Sequence, residues 1–188
     1  MSRASGKQDA RVRYTRMIIR NSLFECLEEE GSITRLTVKQ VCERADINRA
    51  TFYRHFKDCF DVVDQIIEEE ISDYRSLLDE IDGVFSPELT ERYVTILNKY
   101  EDLHSAYLAG RLHSNLQEQL VKASCERYME LWKGKVPEER ERELEMFHYA
   151  ASAAYFQLVL SEREKFPLEE SLPFLRCLIT SGIEHYMK

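Results

Sequence analysis

The chain has 188 residues, of which 44% are hydrophobic and 32% charged, with a formal net charge of −8. That length admits one or two domains, and that balance excludes a disordered chain; no run approaches the ~18 uninterrupted apolar residues of a membrane span. Six Gly and four Pro are few turn signals for such a chain, so the fold class predicted is all-α.

In chain order, residues 1–10 are polar and predict a mobile arm. Arg3, Lys7, Arg11, Arg13, Arg16 and Arg20 face only Asp9 in the first twenty residues. Residues 1–60 carry twelve Lys and Arg against eight Asp and Glu, and the remainder fourteen against twenty-six. A basic head on an acidic body suits one end to phosphates and the other to something else. From about Arg11 a helical period appears, with Ile19, Leu23, Cys26 and Leu27 on one face and Gly31 as the stop. Thr37 is placed to cap the next helix, with Gln40 at the capping-box position. Val38, Val41, Cys42 and Ala45 give that helix a buried face. Asp46, Ile47 and Asn48 make a tight turn, and Asn48 caps a short helix from Arg49 to about Phe56 that buries Phe52 and Phe56.

Asp58 caps a fourth helix that runs to about Ile81. Its roughly 22 residues would span ~33 Å, enough to connect two domains. Ser86-Pro87 opens the next helix. The helices that follow are predicted over about 87–99, 101–109, 113–133, 137–163 and 168–187.

The cysteines, Cys26, Cys42, Cys59, Cys125 and Cys177, are odd in number and show no CxxC spacing. Four of them lie among apolar residues, where a reduced thiol acts as a small hydrophobe. With no apolar leader at the N-terminus, this predicts a cytoplasmic protein. No Gly-rich phosphate loop, nucleophile elbow or carboxylate pair stands out, so no catalytic residues and no enzyme are expected. His104, His113, His148 and His185 lack HxxxH or HExxH spacing, so no metal and no cofactor are expected.

The informative stretch is Thr37 to Phe56, TVKQVCERADINRATFYRHF. Two short helices around a three- to four-residue turn make a helix-turn-helix, whose second helix fits the ~12 Å major groove. Val38, Val41, Cys42, Ile47 and Phe52 lock the pair, and Arg49, Thr51, Tyr53, Arg54 and His55 are left to face outward.

Over residues 11–62 the chain resembles the TetR family, through Gly31, Thr37, Val41, Cys42, Thr51, Phe52, Tyr53, His55 and Phe56. Asp46 stands where that pattern has a turn Gly, Cys42 where it has a small Ala, and Cys59 where members carry a phosphate-binding Lys, with Lys57 as the substitute. The resemblance implies an N-terminal arm and three-helix DNA-binding domain over 1–58 and a helical effector-binding and dimerisation domain over 59–188. It implies a homodimeric repressor released from a pseudo-palindromic double-stranded operator by a small-molecule effector. Alternatives are an activator, a ligand-independent DNA-binding protein of the same fold, or an all-helical protein–protein adaptor.

The implied roles follow residue by residue. Arg49 would read base edges, with a preference for G, and Lys39 would touch bases or backbone. Thr51, Tyr53 and His55 match phosphate and thymine-methyl contacts, and Arg54 would reach a phosphate or a base. Thr37 and the N–H groups of its helix would receive a phosphate, as would Lys57, while Asn48 caps the reading helix. Arg11 and Arg13 would follow the minor groove as a flexible arm. Effector contacts are expected from Tyr93, Tyr100, Tyr107, Arg111, Tyr128, Trp132 and His148. Ala150, Ala154, Leu158, Phe174, Leu178 and Ile183 are expected at the dimer interface.

Overall fold

Helix formation starts earlier than the period at Arg11 suggests. The computed structural model describes residues 3–82 and 86–162 together with 165, 167, 170, 171 and 174, and its first helix, α1, runs Arg3–Glu30. The arm expected over 1–10 is therefore corrected from Arg3 onward. Ala4, Lys7, Gln8 and Ala10 are good helix formers, no Pro interrupts them, and Gly6 costs only about 1 kcal/mol in a helix interior. Ile19, Ser22, Leu23, Cys26 and Leu27 are buried, a stripe at i, i+3, i+4, i+7 and i+8. Gly31 ends α1 with φ 73°, a left-handed conformation that costs a residue without Cβ little. An unforeseen 3-10 turn, Ile33–Arg35, follows and buries Ile33.

Helix α2, Val38–Arg44, carries the expected capping box: Thr37 Oγ1 accepts from the Gln40 N–H at 3.3 Å, and Gln40 Oε1 from the Thr37 N–H at 2.9 Å. Val41 and Cys42 are buried, whereas Val38 and Ala45 are only half-buried. Asp46 takes φ 50° in the turn, which Asp tolerates better than most residues. Helix α3 is shorter than the predicted 49–56, running Arg49–Tyr53 with Arg54 as its C-cap. Beyond it the backbone tightens, with the His55 and Phe56 N–H groups both donating to the Phe52 carbonyl, at 2.9 and 3.0 Å. This turn lets Phe56 enter the core, where it is 2% exposed.

Helix α4 spans Cys59–Asp79 and starts where Asp58 Oδ1 accepts from the Asp61 N–H at 2.9 Å. Helices α5 (Pro87–Lys99), α6 (Glu101–Leu108), α7 (Leu116–Trp132) and α8 (Glu138–Ser161) follow. The bounds of α5 are those expected, and Ser86 Oγ accepts from the Leu89 N–H at 3.2 Å. Helix α7 starts later than the predicted 113, because residues 111–115 run without regular structure after Gly110 at φ 67°. The helix expected over 168–187 lies almost wholly outside the described residues. Among those described, all regular structure is helical, and no helix is long and apolar enough to cross a membrane.

The described residues up to Ile67, with Asp102–Ser114, make one compact unit, and Glu68–Glu101 with those from Asn115 onward make a second. In the first, Ile19, Leu23, Leu27, Val41, Phe52 and Val62 are fully buried. The loop after α6 joins this unit through the Ile33 N–H, which donates to the Arg111 carbonyl at 3.0 Å. In the second, Tyr74 of α4 packs edge-on against Phe156 of α8, ring centroids 5.9 Å apart. Arg127 of α7 closes the free end of α4, donating to the carbonyls of Leu78 at 3.0 Å, Asp79 at 3.3 Å and Ile81 at 2.7 Å. The Leu78 carbonyl also accepts from the Ile81 N–H at 3.0 Å, and the guanidinium adds donors at the helix end and in the turn just beyond it.

Candidate nucleic-acid interface

The α2–α3 segment is anchored before it presents anything. Gln40 Nε2 donates to Glu30 at the end of α1. Arg44 donates to Glu25 at 3.1 Å and to both carboxylate oxygens of Glu29, at 2.6 and 2.7 Å. Helix α2 is thereby tied to α1 by its side chains as well as by its core. Asn48 Oδ1 then accepts from the Thr51 N–H at 2.8 Å and from Thr51 Oγ1 at 3.1 Å. This fixes the first turn of α3 and turns the Thr51 hydroxyl back toward its own cap.

On that base, Arg49, Tyr53 and Arg54 are exposed, Tyr53 by 56%, while Thr51 and His55 are half-buried. The Tyr53 ring stands edge-on to buried Phe52, centroids 5.7 Å apart, so its inner edge is packed and its outer part faces solvent. Among the described residues, the guanidiniums of Arg49 and Arg54 form no hydrogen bond or ion pair, in contrast to Arg44. Lys39 is exposed and pairs loosely with Glu43 at 3.6 Å. Thr37 is exposed at the start of α2, its hydroxyl within the capping box. Lys57 is exposed, and its N–H donates to Asp61 Oδ2 at 2.7 Å, which with burial set against it still holds that carboxyl below its ordinary range. Arg11 and Arg13 are exposed but stand on α1 and not on an irregular arm.

Cys59, at the position where a Lys would meet phosphate, is 3% exposed. Burial pushes its thiol up to about 12, with Asp58 adding to the effect, so it is neither a cation nor an activated thiolate. Cys26, Cys42 and Cys125 are likewise buried and free. No group of three His, Cys, Asp or Glu able to hold a metal ion occurs among the described residues.

The expected effector contacts divide between the two units. Tyr107 and Arg111 belong to the first, where Arg111 pairs with Glu28 at 3.8 Å. Tyr93 and Tyr100 are buried in the second, the Tyr100 hydroxyl donating to Asp73 at 2.7 Å. Tyr128, Trp132 and His148 come together there, with ring centroids 4.7 Å from His148 to Tyr128 and 5.4 Å from His148 to Trp132. The His148 ring is 2% exposed, its Nε2 contacts the Ser124 and Ser152 hydroxyls at 3.2 and 3.3 Å, and burial lowers it to about 4. A nearby open cleft of about 620 Å³ is lined by Trp132, Met129, Val136 and Leu144 with Glu141 and Arg142 among its polar residues. Of the expected interface residues, Ala150, Ala154 and Phe174 are exposed and Leu158 is half-buried. Leu178 and Ile183 lie outside the described residues.

Sequence reasoning missed Arg16. It is half-buried on α1, its guanidinium lies 4.9 Å from the Phe56 ring centroid, and its Nη2 donates to Gln65 Oε1 at 2.7 Å. The signal was present: Arg16 precedes Ile19 by three positions and Leu23 by seven, which puts a cation on the apolar stripe. No family model matches the chain, and no curated protein matches it.

Proposed function

We propose that this chain is a sequence-specific DNA-binding transcription regulator of the TetR type, with α2 and α3 acting as its helix-turn-helix. The observation that carries the reading is the pair of uncommitted guanidiniums, Arg49 and Arg54, on a short capped helix whose inner face is locked by Phe52. Elsewhere in the same unit Arg44 and Lys39 are matched with carboxylates. Exposed, unmatched cations on a rigid ridge suit a polyanionic partner. In this reading Arg49 reads a base edge, while Lys39, Tyr53, Arg54, His55 and Lys57 hold the phosphate backbone.

The protein acts in the cytoplasm as a homodimer, because one such helix contacts too few base pairs for genomic selectivity. Phe147, Ala150, Ala154 and Leu158 recur at i, i+3, i+7 and i+11 along α8, and the first three are exposed, which supports that surface as the dimer contact. The second unit holds an effector, and repression ends when the effector shifts the population away from the DNA-competent form.

Selection from a random-sequence duplex pool at low salt, followed by gel shifts on the enriched sequence, tests the reading. Recovery of a pseudo-palindrome is expected, and Arg49→Ala should weaken binding to it by roughly 5- to 150-fold, equivalent to ~1–3 kcal/mol. Failure to retain any duplex would sink the proposal and leave the adaptor alternative.

A further inference from the structure

Helices α7 and α8 are joined by the short connection 133–137, and the cleft of about 620 Å³ opens at that end of the pair. Its volume falls within the usual range of small-molecule sites, ~300–1,000 Å³. Met129, Trp132, Val136 and Leu144 give it an apolar floor. The floor is preformed: the Trp132 ring is held by the rings of Tyr128 and His148, centroids 5.1 and 5.4 Å away, and neither of these lines the cleft. Around the floor stand charges of both signs, Lys133 and Arg142 with the carboxylates of Glu138, Glu141 and Glu145, all exposed. Arg142 has Glu138 four positions before it and Glu145 three after, spacings that form ion pairs on a helix. Its neighbour Arg140 uses that spacing and donates to Glu143 at 2.7 Å. Among the described residues Arg142 pairs with neither carboxylate, and Lys133 has no anionic partner.

Unpaired charges of opposite sign over an apolar floor complement a molecule that carries both signs on an apolar body. A simple cation would meet Lys133 and Arg142, and a simple anion would meet three carboxylates. We propose that this cleft binds a zwitterionic ligand with an apolar body, of the class of short apolar peptides with both ends free. The apolar side chains cover Trp132 and Leu144, the ammonium faces the carboxylates of α8, and the carboxylate faces Lys133 and Arg142. The volume exceeds what a single amino acid fills, which favours a few linked residues. The inference gives a seat and a chemical class to the effector assigned above to the second unit, and it rests on that reading for any consequence on DNA. Occupancy is measured with no duplex present, so the two fail separately.

The chain has a single Trp, so its emission reports on this floor. The test titrates the full chain with the tripeptide Leu-Phe-Leu at low ionic strength, where exposed charges are least screened. A saturable change in emission is expected. The N-acetylated and the C-amidated tripeptides should each bind about two- to fivefold more weakly, the range of exposed ion pairs. With Lys133→Gln and Arg142→Gln combined, the free and the amidated peptides should bind alike, while the acetylated peptide keeps its deficit. Both residues are exposed, so this variant leaves the core untouched. No saturable change in emission or in calorimetric heat, capped peptides that bind as tightly as the free one, or a double variant that still discriminates against the amide would overturn the inference and leave the DNA-binding reading intact. A chain that binds the free peptide in this pattern yet retains no duplex would support the site and overturn the DNA-binding reading.

Discussion

Asn48 and Thr51 are joined twice, through the Thr51 N–H at 2.8 Å and the Thr51 hydroxyl at 3.1 Å, and this pair sets the direction of a helix only five residues long. A helix so short has too few internal hydrogen bonds to hold itself. Its geometry depends on this cap and on burial of Phe52. Asn48→Ala should lower unfolding free energy by about 1 kcal/mol, read in urea denaturation, and weaken duplex binding as well. Asn48→Asp should restore the stability. An alanine variant as stable as the wild type would show the cap to be dispensable.

Phe52 is the sharper lesion. It is fully buried and contacts both Tyr53 and Phe56. Phe52→Ala should cost about 3–5 kcal/mol, as large aromatic truncations in cores do. Differential scanning calorimetry should show a correspondingly lower Tm, and a change within about 1 kcal/mol would contradict the packing described.

Arg127 holds three carbonyls at the end of α4. Arg127→Met keeps most of the stem and removes the donors, so about 2 kcal/mol of stability should go, in line with the loss of charged hydrogen bonds. Hydrogen exchange should also quicken at the last amides of α4. Unchanged exchange there would mean that solvent serves those carbonyls equally well.

His148 makes the second unit sensitive to acid. Its imidazole is held neutral down to about 4 by burial, against an ordinary value of 6.5. Between those values the unfolded chain binds a proton that the folded chain refuses. Stability is therefore fully present above about pH 6.5 and declines as pH falls toward 4, by about 3 kcal/mol at most. Denaturation midpoints of His148→Gln measured across that range should fall less steeply than those of the wild type, and parallel curves would remove His148 as the cause.

Surface contacts of α8 offer a further measurement. Phe147 is 61% exposed and shares a stripe with Ala150 and Ala154. If that stripe pairs two copies, Phe147→Glu should shift the mass in sedimentation toward the monomer without unfolding the chain. An unshifted dimer would place the contact elsewhere.

Much of this architecture was legible because it is local. Thr37 with Gln40, Asn48 before Arg49, Ser86 before Pro87 and Gly31 after an acidic run are each a chemical instruction confined to a few residues. What escaped depends on distance in sequence. The early end of α3 follows from Phe56 turning into a core made partly by α1. The extension of α1 to Arg3 lacked an apolar period to announce it. The place of Arg16 over the Phe56 ring, forty positions later, is fixed by tertiary packing that no local pattern encodes. The division of the expected effector contacts between two compact units follows the path of the chain, which returns to the first unit at Asp102–Ser114.

The ties from Gln40 and Arg44 back to α1 have a thermodynamic corollary. Because the segment from Thr37 to Phe56 is already ordered, docking on a duplex would freeze few additional torsions there. Calorimetry should then find a modest negative heat-capacity change, set by the apolar area that α3 covers, without the large excess that accompanies folding on contact.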